Sequence, residues 1–198
     1  MDDPSIEEWE AGLGVLSYLY ATRDLGLKYT RTPDGQSCKI DCYADSSFRY
    51  AKQPKPQAGF AIFVSGGAVS YSSRKLKIVP QSTCEAEIAA CCNGAKSMMF
   101  VRSILTFLEF DIKMPMNLIT DNEAAMFAIR NPGTTQRTRH FESWVMYCRE
   151  LKLRNFIEVF WITTVDMIAD IYTKCLDKTA FLRHRPRLVA SPSSVGNT

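Results

Sequence analysis

The sequence has little that would mark a membrane, secreted or zinc-binding protein. Its apolar runs fall well short of the ~18–20 residues needed to span a bilayer, and its acidic start has no basic region of the kind that opens a signal peptide. Seven cysteines occur without a C-x-x-C pair, accompanied by two histidines. These absences argue against a disulfide framework and a zinc site. We therefore expect buried free thiols in an intracellular protein, cytoplasmic or nuclear, with no membrane partner.

The overall composition sets wide bounds. The 198 residues are 46% hydrophobic and 23% charged, which is ordinary for a globular protein and enough for one substantial domain plus an appendage. The net charge of +3 is too small to indicate an anionic partner by itself. No internal repeat is visible.

The spacing of apolar residues predicts a mixed sheet flanked by helices. Strands are predicted over residues 38–44, 59–64, 68–73, 117–120 and 156–162, with a hairpin turn at 65–67. Helices are predicted over residues 5–21, 83–108, 121–131 and 138–154, and a last one begins at a Thr163/Asp166 capping box. Thr83 is the predicted cap of the long helix. From residue 33 onward the predicted order is β-β-β-α-β-α-α-β-α.

Four short acidic motifs place carboxylates at strand ends or near helix starts. Asp45 and Asp121 end the first and fourth predicted strands, Glu87 lies in the opening turns of the long helix, and Asp170 lies on the last helix. Carboxylates gathered at one point repel each other unless a cation lies between them. Oxygen ligands select hard ions such as Mg²⁺ or Mn²⁺. Two such ions about 3.5–4 Å apart are the usual apparatus for phosphodiester hydrolysis, one helping to form hydroxide and one stabilising the departing 3′ oxygen.

Two of these assignments have a neighbouring competitor. Glu85 and Glu87 lie about 200° apart around a helix, so only one of them can face the ions. We favour Glu87, because the apolar run at residues 88–90 follows it directly. Asp166 competes with Asp170, but its place in the capping box favours a role at the helix end.

The motifs together resemble a known family. In chain order they are YADSSF, AGFAIF, VSYSSRK, STCEAEIAA, TDNEAA, RTRHFE and ADIYTK. Their order and spacing are similar to the ribonuclease H domain of copia-type LTR-retrotransposon Pol polyproteins. The earlier run YLYATRDLGLKY resembles the tail of the reverse transcriptase that precedes that domain.

The resemblance implies a ribonuclease H-like α/β fold, with a five-stranded mixed sheet flanked by helices. It implies cleavage of the RNA strand of RNA–DNA hybrids with two Mg²⁺ or Mn²⁺ ions during reverse transcription. The matched motifs make Asp45, Glu87, Asp121 and Asp170 the catalytic and metal-binding residues.

Basic residues are candidates for holding the nucleic acid. Residues of the matched motifs with this expected role are Arg74, Lys75, Arg137, Arg139 and His140. Further basic residues are Lys77, Lys152 and Arg154. Each of the basic residues could either contact phosphates or simply lie on a solvated face, where charged clusters are common.

The predicted organisation has three parts. Residues 1–32 form a helical segment resembling the end of the reverse transcriptase, 33–180 the ribonuclease H-like domain, and 181–198 a basic, disordered tail. The enzyme is expected to be weak or inactive without its polymerase domain, which is an expected partner within the same polyprotein. The alternative is a catalytically inactive remnant that binds nucleic acid or has a structural role. Transposase or integrase chemistry fits the acid spacing less well.

Overall fold

The computed structural model describes residues 4–29, 36–48, 56–131 and 141–191. Strands β1 to β5 are, in chain order, Ile40–Ser47, Gln57–Val64, Gly67–Lys75, Met116–Thr120 and Ile157–Trp161. Helices α1 to α5 are Ile6–Ala21, Thr83–Phe107, Glu123–Arg130, Glu142–Leu153 and Lys178–Leu188. Two short 3₁₀ helices, Thr164–Asp166 and Ile168–Tyr172, lie between β5 and α5.

The five strands form one mixed sheet in the order β3-β2-β1-β4-β5. Strand β1 lies at the centre, antiparallel to β2 and parallel to β4. Strand β3 is antiparallel to β2, and β5 is parallel to β4. The predicted five-stranded mixed sheet is therefore confirmed. Because β1, β4 and β5 run in the same direction, their carboxyl ends meet at one edge of the sheet.

The predicted hairpin joins β2 to β3. Val64 pairs with Gly67, so only Ser65 and Gly66 form the turn. Both have positive φ, 47° and 83° respectively. Positive φ at both central residues gives the backbone twist that a two-residue hairpin requires.

The core lies between α2 and the sheet. On β1, Ile40, Cys42 and Ala44 are fully buried beneath the helix. Gly94 allows the close approach, because a Cβ there would lie 2.8 Å from the Cys42 sulfur. Met98 is also fully buried, and burial of a side chain of that size contributes about 1.5–3 kcal/mol. This packing holds the first turns of α2 close to the end of β1.

Strand β1 is longer than predicted at its end. It continues to Ser47, so Asp45 lies inside the strand rather than ending it. Pairing with β2 extends it, because Asp45 lies opposite Gly59 and Ser47 opposite Gln57.

The last predicted helix is not a single α-helix. Thr163 donates its hydroxyl hydrogen bond to the Asp166 side chain rather than capping backbone amides. Two 3₁₀ turns follow, and three consecutive residues of the second, Ile168, Ala169 and Asp170, are buried. An amphipathic α-helix buries one face and exposes the other to solvent. Three consecutive buried residues do not fit that pattern.

Residues 181–188 belong to a helix, which corrects the prediction of a disordered tail from residue 181. Helix α5 is capped by Asp177, whose side chain accepts a hydrogen bond from the Ala180 amide at 2.8 Å. His184 is buried, and Gly26 and Ala190 form an antiparallel bridge. Residues 192–198 lie outside the described part of the chain.

Helix α1 confirms the first predicted helix but has no buried residue. Ser5 and Glu8 form a capping box at its start. Tyr18 makes an edge-to-face contact with Phe181 of α5, with ring centroids 5.9 Å apart. The predicted boundary near residue 32 lies outside the described residues. Within the described chain, no helix has the length and apolar character needed to cross a membrane.

Candidate metal centre

Two of the predicted site residues are neighbours because their strands are parallel. The register of β1 and β4 pairs Tyr43 with Ile119. Asp45 and Asp121 each stand two residues further on, so the same register continued places them side by side. Asp45 is 1% exposed, whereas Asp121 is half-buried at the end of β4.

Asp170 reaches the same place from the second 3₁₀ helix. That helix packs directly on β2, where a Cβ on Gly59 would lie 2.7 Å from Tyr172 Cβ and 2.8 Å from Thr173 Cγ2. Only a glycine allows this approach without displacement. Because Gly59 pairs with Asp45 across β1 and β2, the close packing brings Asp170 to the aspartate on β1.

The structure thus gathers three carboxylates from distant parts of the chain. Oxygen atoms of Asp45, Asp121 and Asp170 all lie within 4.8 Å of one another. Carboxylates at this separation repel, and the repulsion is strong where water is excluded. The arrangement is one that could hold a divalent cation.

Glu87, the fourth predicted residue, lies beside this cluster on α2. Its Oε1 accepts hydrogen bonds from the Ser46 amide at 3.2 Å and the Ser46 hydroxyl at 2.9 Å. Its Oε2 is buried and has no hydrogen-bond partner among the described residues. A buried carboxylate oxygen without a partner is costly, so this atom is available to a ligand.

Glu85 has a different role. Its Oε2 accepts a hydrogen bond from the Gln81 amide at 2.7 Å, and its own amide donates to the Ser82 hydroxyl at 3.2 Å. Both contacts stabilise the start of α2. The helix cap is therefore Ser82 rather than the predicted Thr83.

Two residues of the cluster were not singled out from the sequence. The Thr173 hydroxyl donates a hydrogen bond to Asp45 Oδ2. The Lys174 ammonium lies 2.7 Å from Asp170 Oδ1 and 3.4 Å from Asp45 Oδ1. The available signal was the spacing of Lys174, four residues after Asp170, which places the two on one side of a helical turn.

The pKa values in the cluster follow from burial and from its charges. Burial raises the pKa of Asp45, although the Lys174 charge and the Thr173 hydrogen bond oppose it. Burial first, and then the charges of Asp45 and Asp121, raise the pKa of Glu87 to about 9. Burial alone would lower the pKa of Lys174, but the charges of Asp45 and Asp170 outweigh it and the pKa is raised. More positive charge at this point would stabilise the ionised carboxylates.

The predicted nucleic-acid contacts are only partly described. Arg74 and Lys75 are exposed at the end of β3. They line a groove of about 600 Å³ between β3 and α2, to which Lys77 and Lys96 also contribute. Arg137, Arg139 and His140 lie outside the described residues. Lys152 and Arg154, the remaining basic candidates, form salt bridges on the surface. The Lys152–Glu158 distance is 3.2 Å and the Arg154–Glu150 distance is 2.7 Å.

Comparison with solved structures identifies the fold as that of ribonuclease H. The N-terminal ribonuclease H domain of a Mycobacterium tuberculosis protein matches with a TM-score of 0.52 and 12% identity, over 74% of this chain and 99% of that one. LC11-RNase H1, solved in complex with an RNA/DNA hybrid, matches with a TM-score of 0.51 and 13% identity, over 68% and 94%. The predicted ribonuclease H-like fold is confirmed.

Sequence comparison finds similarity to a narrower group of proteins, the retrotransposon Pol polyproteins. The chain is 27% identical over 182 residues to the Pol polyprotein from transposon RE2 of Arabidopsis thaliana, and 28% identical over 182 residues to that from transposon TNT 1-94 of Nicotiana tabacum. It is 27% identical over 184 residues to the Ty1-JR1 Gag-Pol polyprotein of Saccharomyces cerevisiae. No protein-family model matches the chain.

These matches cover 90–91% of the chain but only 10–13% of the relatives. Over that length the chain is similar to the ribonuclease H region of copia- and Ty1-type retrotransposon Pol polyproteins. The resemblance first indicated by the seven motifs is therefore confirmed.

Proposed function

We propose that this chain cleaves the RNA strand of RNA–DNA hybrids with the help of two divalent ions, as part of retrotransposon reverse transcription. One observation carries the proposal: Asp45, Asp121 and Asp170 bring carboxylate oxygens within 4.8 Å of one another. A cluster of this kind in a ribonuclease H fold fits phosphodiester hydrolysis.

The residues present fit Mg²⁺ or Mn²⁺. All candidate ligands are carboxylate oxygens, which such hard ions prefer. The unpartnered Oε2 of Glu87 adds a fourth donor group beside the three aspartates. When bound, the ions would supply a water-derived nucleophile and stabilise charge on the departing oxygen.

Neighbouring residues hold the carboxylates in position. Ser46 donates two hydrogen bonds to one oxygen of Glu87 and leaves the other open. The Thr173 hydroxyl holds one oxygen of Asp45 by a hydrogen bond. Groups that orient ligands in this way typically matter about 10- to 100-fold for metal affinity or activity.

The proposed substrate is an RNA–DNA hybrid. Arg74 and Lys75 stand exposed on the rim of a basic groove and could contact phosphates. We assign the same role to Arg137, Arg139 and His140. If these residues follow the backbone of the hybrid, affinity falls steeply with salt, and 2′-hydroxyl contacts distinguish RNA from DNA.

The proposed partner is a reverse transcriptase domain of the same polyprotein. Residues 1–32 would then be the end of that domain, and the nuclease would extend from residue 33 through helix α5. The relatives extend far beyond the matched region, since the chain spans only 12% of the RE2 polyprotein. Activity of the chain alone is therefore expected to be weak.

A cleavage assay tests the site. Labelled RNA–DNA hybrid is incubated with Mg²⁺ or Mn²⁺ and with wild type, Asp121→Asn, or the control Asp24→Asn, which neutralises an exposed aspartate after α1. We expect Asp121→Asn to lower the rate by more than about 100-fold, because losing a ligand costs more than losing a group that only orients one. The control should retain the wild-type rate.

Two outcomes would contradict the proposal. Cleavage that is insensitive to Asp121→Asn would mean that the activity does not come from this cluster. No cleavage by wild type, even with a polymerase domain supplied in front of residue 1, would favour a catalytically inactive module.

A further inference from the structure

The cluster of carboxylates contains a cation supplied by the chain itself. Lys174 Nζ lies 2.7 Å from Asp170 Oδ1 and 3.4 Å from Asp45 Oδ1. It therefore bridges two of the three aspartates that would hold a divalent ion. Neither the sequence motifs nor the fold comparison gives this lysine a role.

The two carboxylates that contact Lys174 are buried, so the contact strongly affects their stability as ions. The Asp45 and Asp170 side chains are only 1% and 8% exposed. An ionised carboxylate at such a depth is strongly destabilised unless it is paired. The Lys174 ammonium supplies that pairing from only four residues beyond Asp170, so it is held at high local concentration.

The ammonium can also leave. The Lys174 side chain is 29% exposed and carries its charge on a flexible four-carbon stem. It lines an open concavity of about 500 Å³, together with Ser46, Ser47 and Asp177. The displaced side chain could occupy this space without disturbing the core.

We infer that Lys174 is a tethered competitor for the divalent ion, occupying carboxylate oxygens that the ion needs and setting the ion concentration at which the centre fills. The inference rests on the proposed metal centre. An ammonium at 2.7 Å and a divalent ion cannot share Asp170 Oδ1 in the same place. Binding of the ion therefore expels Lys174 toward the rim, where it becomes a free positive charge close to the site.

This competition has a thermodynamic signature. Each cation weakens binding of the other by the same factor, because coupling between two ligands is reciprocal. Removing the ammonium while keeping an unbranched, polar and uncharged side chain should tighten binding of the divalent ion. Retaining the charge in another shape should not.

The test is direct binding of Mn²⁺, followed by the paramagnetic resonance signal of the free ion, without nucleic acid. Lys174→Gln removes the charge, and Lys174→Arg keeps it. Lys113→Gln is the matched control, since it removes an exposed lysine at the opposite end of β4. We expect Lys174→Gln to lower the dissociation constant for Mn²⁺ by about 5- to 150-fold, the range of ordinary coupling between sites. Lys174→Arg and Lys113→Gln should remain near wild type.

The outcomes separate this inference from the proposed function. Saturable binding by wild type with equal or weaker binding by Lys174→Gln overturns the role of Lys174 alone. Tighter binding by Lys174→Gln, with no cleavage of hybrid by any variant even when a polymerase domain is supplied in front of residue 1, supports the role of Lys174 and overturns the nuclease. Absence of saturable Mn²⁺ binding in wild type and Lys174→Gln overturns both. Circular dichroism of each variant confirms that the comparison is between folded proteins.

Discussion

Helices α1 and α2 differ in what their apolar side chains contact. Both were predicted from the same three- and four-residue spacing. As far as Met98, α2 packs on the sheet and on helices α3 and α4, with Ile88 and Met98 fully enclosed. Helix α1 buries no residue, and its Trp9 and Leu16 are each 62% exposed.

The same contrast occurs within α2 itself. Beyond Met98 no residue of the helix is buried, although Val101 and Leu105 still pack against the core, and Phe100, Ile104 and Phe107 are exposed. The buried half is the one that carries Glu87 to the carboxylate cluster. The well-packed half of α2 is thus the half that positions Glu87. The spacing of apolar residues does not by itself reveal which half of the helix is buried.

The largest effect is expected from the buried half of α2. Ile88 packs against Ala125, Phe141 and Val145. Ile88→Ala should lower the free energy of unfolding by about 2–5 kcal/mol, because it removes buried methyl groups and leaves a cavity. Urea denaturation measures the loss. The same substitution at the exposed Ile104 is the control and should cost far less; equal losses would mean that burial does not distinguish the two halves.

A smaller effect is expected from Glu87 as pH changes. Its pKa in the folded protein is raised to about 9 from an ordinary 4.5, so the folded state keeps a proton that the unfolded chain has lost. The folded state binds more protons between these values. The contribution of Glu87 to the stability of the metal-free protein is therefore fully present below the unfolded value and is lost as pH rises toward 9.

Glu87→Gln should reduce that pH dependence. One proton changes the free energy of unfolding by at most about 1.4 kcal/mol per pH unit, so urea midpoints measured in chelator from about pH 6 to about pH 8 would resolve the difference. Some dependence should remain, because burial also raises the pKa of Asp45. Identical slopes for wild type and variant would show that Glu87 ionises freely in the folded protein.

The sequence was sufficient for the parts of the site that depend on local pattern. Alternation and turn signals predicted the strands, and the matched motifs singled out Asp45 and Asp121 at the ends of two of them. That these two strands are parallel neighbours came only from the structure. The preference for Glu87 over Glu85 rested on the apolar run that follows Glu87. In the structure Glu85 forms hydrogen bonds at the start of α2 instead.

The sequence was insufficient where distant segments decide the outcome. Thr173 and Lys174 meet Asp45 across 128 and 129 residues, and no periodicity encodes that contact. The composition of residues 181–188 predicted disorder, yet the buried His184 and the Gly26–Ala190 bridge tie that helix to the fold. Tertiary contacts overrode local preference in these places.

The smallest effect is expected on α1, from Leu16→Ala. Leu16 is 62% exposed, so the substitution removes little buried surface, and alanine is the better helix former. The free energy of unfolding should change by less than about 0.5 kcal/mol, as for most surface positions. Urea denaturation at low and high protein concentration would measure it. A larger loss that grows with concentration would show that a second copy of the chain covers this face in solution, and the contrast between α1 and α2 would then hold only for the single chain.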